Sequence, residues 1–433
     1  MRRLLVAAAA AASLWCAPNA LASGWCGNAQ SPSDRPDVVT GAQIHAIVAL
    51  PADAPDTFAA DAARIQDDVT SIDTWWTGQD PTRVPRFDLA AFPAGTCLDL
   101  SFVRLPNPAA AYSVSTSAAA NATFNAVVAQ LTALGFSDFY KKYFVYVDGF
   151  GSATDDICGT GAGQFARGGD FAAVWLRACG VPTDAVGAHE LLHVLGALPA
   201  GAPHACTPAN DPFGSFDLGH PCDSPTDILY PATSGLPLTK LVLDYGHDDY
   251  YGHSGTWIDI QDSQWLRHLN APQEALALAI AGQGAVYSDL PGVVCASNCT
   301  TQWDQGTRVT LTAVPADGER LVGWSGPCSK SESRDQCIVS LVAASSVTAV
   351  FGPARVAMHL SHTGRGTIRC TPRCAPTAEA GAPLVLTAVA SKGWRFVRWS
   401  GTCKGTSRTC RLAPTAAFSA HATFAKVPVR KKR

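Results

Sequence analysis

The chain has 433 residues, 47% of them hydrophobic and 15% charged, with 15 cysteines and a formal net charge of −3. That apolar content excludes an intrinsically disordered protein, and so many cysteines exclude an ordinary cytosolic enzyme. At roughly 100–200 residues per domain, the length predicts two to four domains.

The first element in the chain is an export signal. Arg2 and Arg3 precede an apolar run from Leu4 to Trp15, and Ala20-Leu21-Ala22 offers a small-residue cleavage site. These features predict a signal peptide over 1–22 and a secreted or extracellular protein. The run is shorter than the roughly 20 residues of a membrane helix, and no later run reaches that length, so no transmembrane segment is expected. Losing Cys16 with the signal leaves an even number of cysteines, which suits complete pairing in an oxidising compartment.

Ile65, Val69, Ile72 and Trp76 recur at helical spacing and predict a helix over 61–76; a second is predicted over 124–134. Stretches 98–103, 143–147 and 171–176 read as strands. Together they predict an α+β domain with a mixed sheet ahead of a central helix. Cys26, Cys97, Cys158 and Cys179 are expected to pair among themselves as staples.

That central helix carries the chemistry. It reads Gly187-Ala188-His189-Glu190-Leu191-Leu192-His193-Val194-Leu195-Gly196. His189 and His193 are four residues apart, so both imidazoles lie on one helix face and can reach one Zn²⁺. Glu190 can then serve as general base toward water rather than as a ligand. The flanking leucines and valine predict a buried helix, where unpaired polar groups would be costly and a metal accounts for them. The chain holds only five Glu and eleven His, so this pattern is not a product of composition.

With Gly196, the segment resembles the HExxHxxG opening of metzincin zinc metallopeptidases, and Asp227-Ile228-Leu229-Tyr230-Pro231 resembles their Met-turn. The resemblance implies a metzincin-like domain over 23–285, one catalytic zinc, a protein or peptide substrate, and endopeptidase activity with Glu190 as general base. Two positions depart from the pattern. Pro199 stands where the family has its third histidine, and Leu229 where it has methionine. His204 and His220 are the candidate third ligands, with Asp223 as an alternative; His204 is favoured because it needs the shorter excursion. Cys206 and Cys222 flank both and would close the loop if bridged. The polar run from Asp244 to His253 is read as a hydrogen-bonded loop that also offers carboxylates for Ca²⁺.

Charge separates the rest of the chain. Residues 23–285 hold 11 Lys+Arg against 28 Asp+Glu, whereas residues 286–433 hold 19 against 7. The basic part repeats itself. Cys295-x-x-x-Cys299 recurs at Cys370 and Cys374, Leu311–Val314 at Leu386–Val389, and Trp324-Ser325-Gly326-Pro327-Cys328 at Trp399-Ser400-Gly401-Thr402-Cys403. Cys337 and Cys410 close the two units. Alternating Thr and Val between Gly and Pro predicts short strands, hence two β-rich modules over 286–353 and 354–426, with a basic tail over 427–433. They resemble divergent internalin-B-type repeats, and each is expected to hold a Cys295–Cys299-type and a Cys328–Cys337-type bridge. An acidic cell-envelope or surface polymer is the expected partner of this basic region; no nucleic acid is expected, since no such motif is present. The competing reading is a non-catalytic envelope-binding or adhesion protein whose zinc site is structural and closed by both His204 and His220.

Overall fold

The computed structural model describes residues 26–27, 29–198, 201–212, 219–231, 235–328 and 333–428; the expected signal peptide and Arg430–Arg433 lie outside them. Two compact units emerge. One runs to Pro272 and takes in Leu290–Gly292; the other comprises Gln273–Asp289 and the chain from Val293 onward.

The first unit is built on a five-stranded mixed sheet. Its strands are β1 (Gln43–Leu50), β2 (Leu100–Arg104), β3 (Lys141–Val147), β4 (Gly159–Ala162) and β5 (Phe171–Trp175). Their spatial order is β2-β1-β3-β5-β4. β1 runs parallel to β2 and β3, and β3 parallel to β5. β4 returns antiparallel to β5 and forms one edge. All eight residues of β1 are buried, as expected of a central parallel strand covered on both faces.

Three helices supply that cover. Ile65, Val69 and Ile72 of α1 (Phe58–Gln79) share a core with Leu191, Leu192 and Val194 of α3 (Thr183–Leu195) on one face of the sheet. Phe124, Val127 and Leu131 of α2 (Ser117–Ala133) pack on the other. α2 starts earlier than the apolar spacing predicts because Thr116 Oγ1 accepts the Ala119 N–H at 3.2 Å and caps the helix. The strand expected over 98–103 is broken at Asp99. Its carboxylate accepts hydrogen bonds from the Arg35 backbone and guanidinium, and Leu98 ends a separate short hairpin of Leu89–Phe92 and Gly95–Leu98.

The second unit holds two β-modules of like construction. In the first, strands Cys299–Asp304, Gln273–Ala281, Ser345–Pro353 and Glu319–Ser325 form one sheet in that order. Val294–Cys295, Gly284–Ser288, Arg308–Pro315 and Gln336–Ser340 form the other. Because Gln273–Ala281 pairs with Ser345–Pro353, this module starts ahead of the charge boundary at 285/286. In the second module, Arg355–Thr363 pairs with Phe418–Lys426, and Gly366–Thr371, Leu384–Ala390 and Thr409–Leu412 form a three-stranded sheet. Trp399 is buried in its core beside Cys403. The bridges Cys295–Cys299, Cys328–Cys337, Cys370–Cys374 and Cys403–Cys410 are all present. So are Cys26–Cys97, Cys158–Cys179 and Cys206–Cys222. Seven disulfides among the described residues, with no described helix long and apolar enough to cross a membrane, are consistent with an extracellular protein.

Candidate metal centre

α3 ends in a Schellman turn: the Gly196 N–H donates to His193 O and the Ala197 N–H to Leu192 O. Gly196 has φ +92°, and a Cβ there would lie 2.8 Å from the Phe165 backbone nitrogen. This position requires glycine on both counts. The chain leaves the helix one turn after His193, which frees the space above the histidine face.

His189 and His193 stand together on α3, and His220 reaches them from the loop. Their Nε2 atoms form a triangle with sides of 3.1, 3.1 and 3.2 Å. His189 Nδ1 donates to the Ile228 carbonyl at 2.6 Å. A carbonyl can only accept, so that nitrogen carries the proton and Nε2 presents its lone pair to the triangle. Burial, followed by the two neighbouring imidazoles, pushes the His193 pKa well below its ordinary value and keeps the ring neutral. Three nitrogens bound at about 2.05 Å in tetrahedral geometry stand roughly 3.3 Å apart, so this donor set fits zinc. The described residues therefore contain a group of the right chemistry and spacing for a metal.

The turn at Asp227 underlies this arrangement. Asp227 Oδ1 accepts the Leu229 N–H at 2.7 Å and the Tyr250 hydroxyl at 2.8 Å, while Oδ2 accepts the Tyr245 N–H at 2.7 Å. Burial raises its pKa to about 7 against these bonds. Leu229 is fully buried in the core that includes α3. The turn thus fixes the Ile228 carbonyl, and through it the His189 ring.

Glu190 is buried beside the histidines, and its side chain runs along β4. A Cβ at Gly159 would lie 2.5 Å from Glu190 Cγ, and one at Gly161 would lie 2.7 Å from the Glu190 carbonyl oxygen and 3.0 Å from His193 Cβ. Glycine at both positions lets the edge strand approach the helix closely enough for Glu190 to stand beside the three histidines. A cleft of about 910 Å³ opens here, lined by His189, Glu190, His193 and His220 together with Gly159, Thr160 and Gly161. The Cys158–Cys179 bridge lies in its wall.

His204, favoured from the sequence as third ligand, lies elsewhere. A short antiparallel bridge pairs Ala205 with Pro221, with Cys206 N donating to His220 O and Cys222 N to His204 O. The bridge and the Cys206–Cys222 disulfide place the two histidines at opposite ends of one ribbon. His220 faces α3, whereas His204 turns to Asp249, whose carboxylate accepts its backbone N–H at 2.7 Å and meets Nδ1 at 3.1 Å. Burial opposes protonation of His204, but Asp249 and Asp248 outweigh it and hold its pKa above the ordinary value. Asp223 gathers with His204, Asp248 and Asp249 and does not join the triangle. Asp244, within the run expected to offer calcium ligands, spends its carboxylate on the backbone N–H groups of Asp249, Tyr250 and Tyr251.

One constellation escaped the sequence reading. His45 Nδ1 meets Asp88 at 2.8 Å and Nε2 meets Ser101 Oγ at 2.9 Å. This has the order of a hydrolytic triad, yet all three residues are 0% exposed. Lys141 Nζ reaches Asp88 at 2.7 Å, and Phe136 stacks on His45. No substrate can reach it, and it serves to join β1, β2 and β3.

Residues 286–355 and 356–428 each match the model of the divergent InlB B-repeat domain. None of the curated proteins matches the chain. Among solved structures, wild-type OgpA from Akkermansia muciniphila is 11% identical and covers 94% of this chain and 98% of its own, with a TM-score of 0.25. Catalytically inactive OgpA in complex with an O-glycopeptide (glycodrosocin) substrate is 9% identical and covers 95% and 99%, with a TM-score of 0.23. The major pilin protein T-13 from Streptococcus pyogenes is 8% identical and covers 36% and 96%, with a TM-score of 0.14. None of these superpositions reaches the level of a shared fold.

Proposed function

We propose that this protein is an exported zinc endopeptidase of metzincin-like type, with His189, His193 and His220 as metal ligands and Glu190 as general base. The observation that carries this reading is the convergence of three Nε2 atoms within 3.2 Å of one another beside Glu190, on the wall of an open cleft. Zinc held by these imidazoles supplies Lewis acidity to water and to the scissile carbonyl. Glu190 accepts the proton of the attacking water and delivers it to the leaving amine. The outer edge of β4 runs along the same cleft, where an extended peptide can add as a further strand and present its carbonyl to Glu190.

The three-ligand arrangement favours catalysis over a closed structural site, which needs a fourth protein ligand. His204, the residue expected to close such a site, is held by Asp249. The basic part of the repeat region is read as the part that meets an acidic surface polymer.

Casein hydrolysis by the mature chain beside Glu190→Ala, with zinc per chain measured on both, tests the assignment. The expected result is cleavage by the wild type alone while both proteins hold about one zinc. Equal cleavage by both, or none by either when both are metallated, rejects it.

A further inference from the structure

The excess positive charge is not shared by the two repeats. Residues 286–355 contain 5 Lys+Arg and 6 Asp+Glu, a net of −1, whereas residues 356–428 contain 10 Lys+Arg and one acid, Glu379, a net of +9. The two stretches match the same domain model and fold alike, so the fold does not demand this charge. With one carboxylate among ten cations, and Glu379 already 3.7 Å from Arg355, the charge is not neutralised within the module. Self-repulsion on this scale opposes compactness and is relieved by an external anion.

The strand registers locate part of it. In the second module Arg369 stands opposite Thr387, Thr387 opposite Thr409, and Val385 opposite Arg411. Residues two apart share a face, so Arg369, Thr387, Thr409 and Arg411 lie on one face of this sheet. Both arginines are exposed. They sit on the two outer strands, about 10 Å apart across the sheet. In the first module the same register puts Tyr287 opposite Thr312 and Ile338 opposite Thr310. Tyr287 and Ile338 therefore occupy the places of Arg369 and Arg411.

We infer that the outer face of Gly366–Thr371, Leu384–Ala390 and Thr409–Leu412 binds an acidic polysaccharide, and that the first module does not. Arginines separated by a threonine row suit a chain whose anionic groups alternate with hydroxyls. Of the module's five Trp and Phe rings, Phe396, Trp399, Phe418 and Phe424 are buried and Trp394 is half-buried against the same core, so none stands fully exposed as a platform on which bases could stack. This site is independent of the zinc centre, and its test does not read peptidase activity.

The mature full-length chain is compared with Arg369→Tyr/Arg411→Ile and with Arg308→Gln/Arg320→Gln by affinity electrophoresis in dextran sulfate and in polygalacturonate, at about 0.15 M salt. Phosphatidylglycerol vesicles and duplex DNA serve as alternative polyanions. The first variant carries residues that the sister module already accommodates at these places, and its circular dichroism checks the fold. The expected result is binding of the wild type to the polysaccharides, weakened about tenfold or more by the second-module variant and changed less than about twofold by the first-module variant. Binding should persist in Glu190→Ala and after zinc removal. Failure of the wild type to bind either polysaccharide, equal weakening by both variants, or binding confined to vesicles or DNA overturns the proposal.

Discussion

At the scale of single residues, His189, His193 and Glu190 are legible in the sequence because their relation is local: helical geometry alone fixes which side chains share a face. His220 is legible only as one of two candidates: the sequence favours His204 on the length of the excursion, whereas the bridge between Ala205 and Pro221 sets His220 beside His189 and His193, and that pairing is tertiary. Asp80, by contrast, shows a buried carboxylate kept ionised. Burial opposes its charge, but Thr82 donates its N–H and hydroxyl at 2.7 Å each, and Gln261 and Tyr251 donate at 2.8 Å. The bonds win and hold its pKa at about 2. A depressed carboxylate stabilises the fold above its unfolded pKa near 3.9 and loses that contribution as pH falls toward the folded value. About 2 kcal/mol should therefore vanish between roughly pH 4 and pH 2. Urea unfolding of the wild type and Asp80→Asn across that range checks this; the variant should show the shallower loss, and parallel curves would contradict it.

At the scale of elements, both predicted helices and the strands at 143–147 and 171–176 are present, because amphipathic spacing and short apolar runs report them directly. β1 was not legible: with both faces covered it shows no alternation, and periodicity cannot mark it. The glycines of β4 were equally silent, since their role appears only against α3. Gly161→Ala would press a methyl on the Glu190 carbonyl and His193 Cβ. It should cost about 1–3 kcal/mol by overpacking and lower kcat together with stability. An alanine variant of wild-type stability and activity would show that the close approach is dispensable. The ribbon carrying His220 invites a second experiment. The Cys206–Cys222 bridge spans 16 residues, and a loop of that size is worth about 3 kcal/mol in the chain-entropy model. Cys206→Ala/Cys222→Ala should weaken zinc binding by about tenfold or more in chelator competition, and unchanged affinity would mean that the ribbon is held by other contacts.

At the scale of the whole molecule, the division into an acidic first part and a repeated second part was legible from charge and repetition. The strand Gln273–Ala281 precedes the repeated sequence and yet belongs to the first module's sheet. The two units have separate cores, so calorimetry should resolve two transitions. A ligand that binds only the native first unit stabilises it by mass action, about 4 kcal/mol at a thousandfold excess over Kd. Chelation should thus lower one transition by roughly 10 °C and leave the other in place; a joint shift would contradict separate units. The central claim is the three-histidine centre itself. The measurement that addresses it most directly is zinc per chain in the wild type, His220→Ala and His204→Ala, after dialysis against a moderate chelator. About one zinc in the wild type and in His204→Ala, with almost none in His220→Ala, is the expected result. Zinc retained by His220→Ala and lost from His204→Ala would contradict the centre described above.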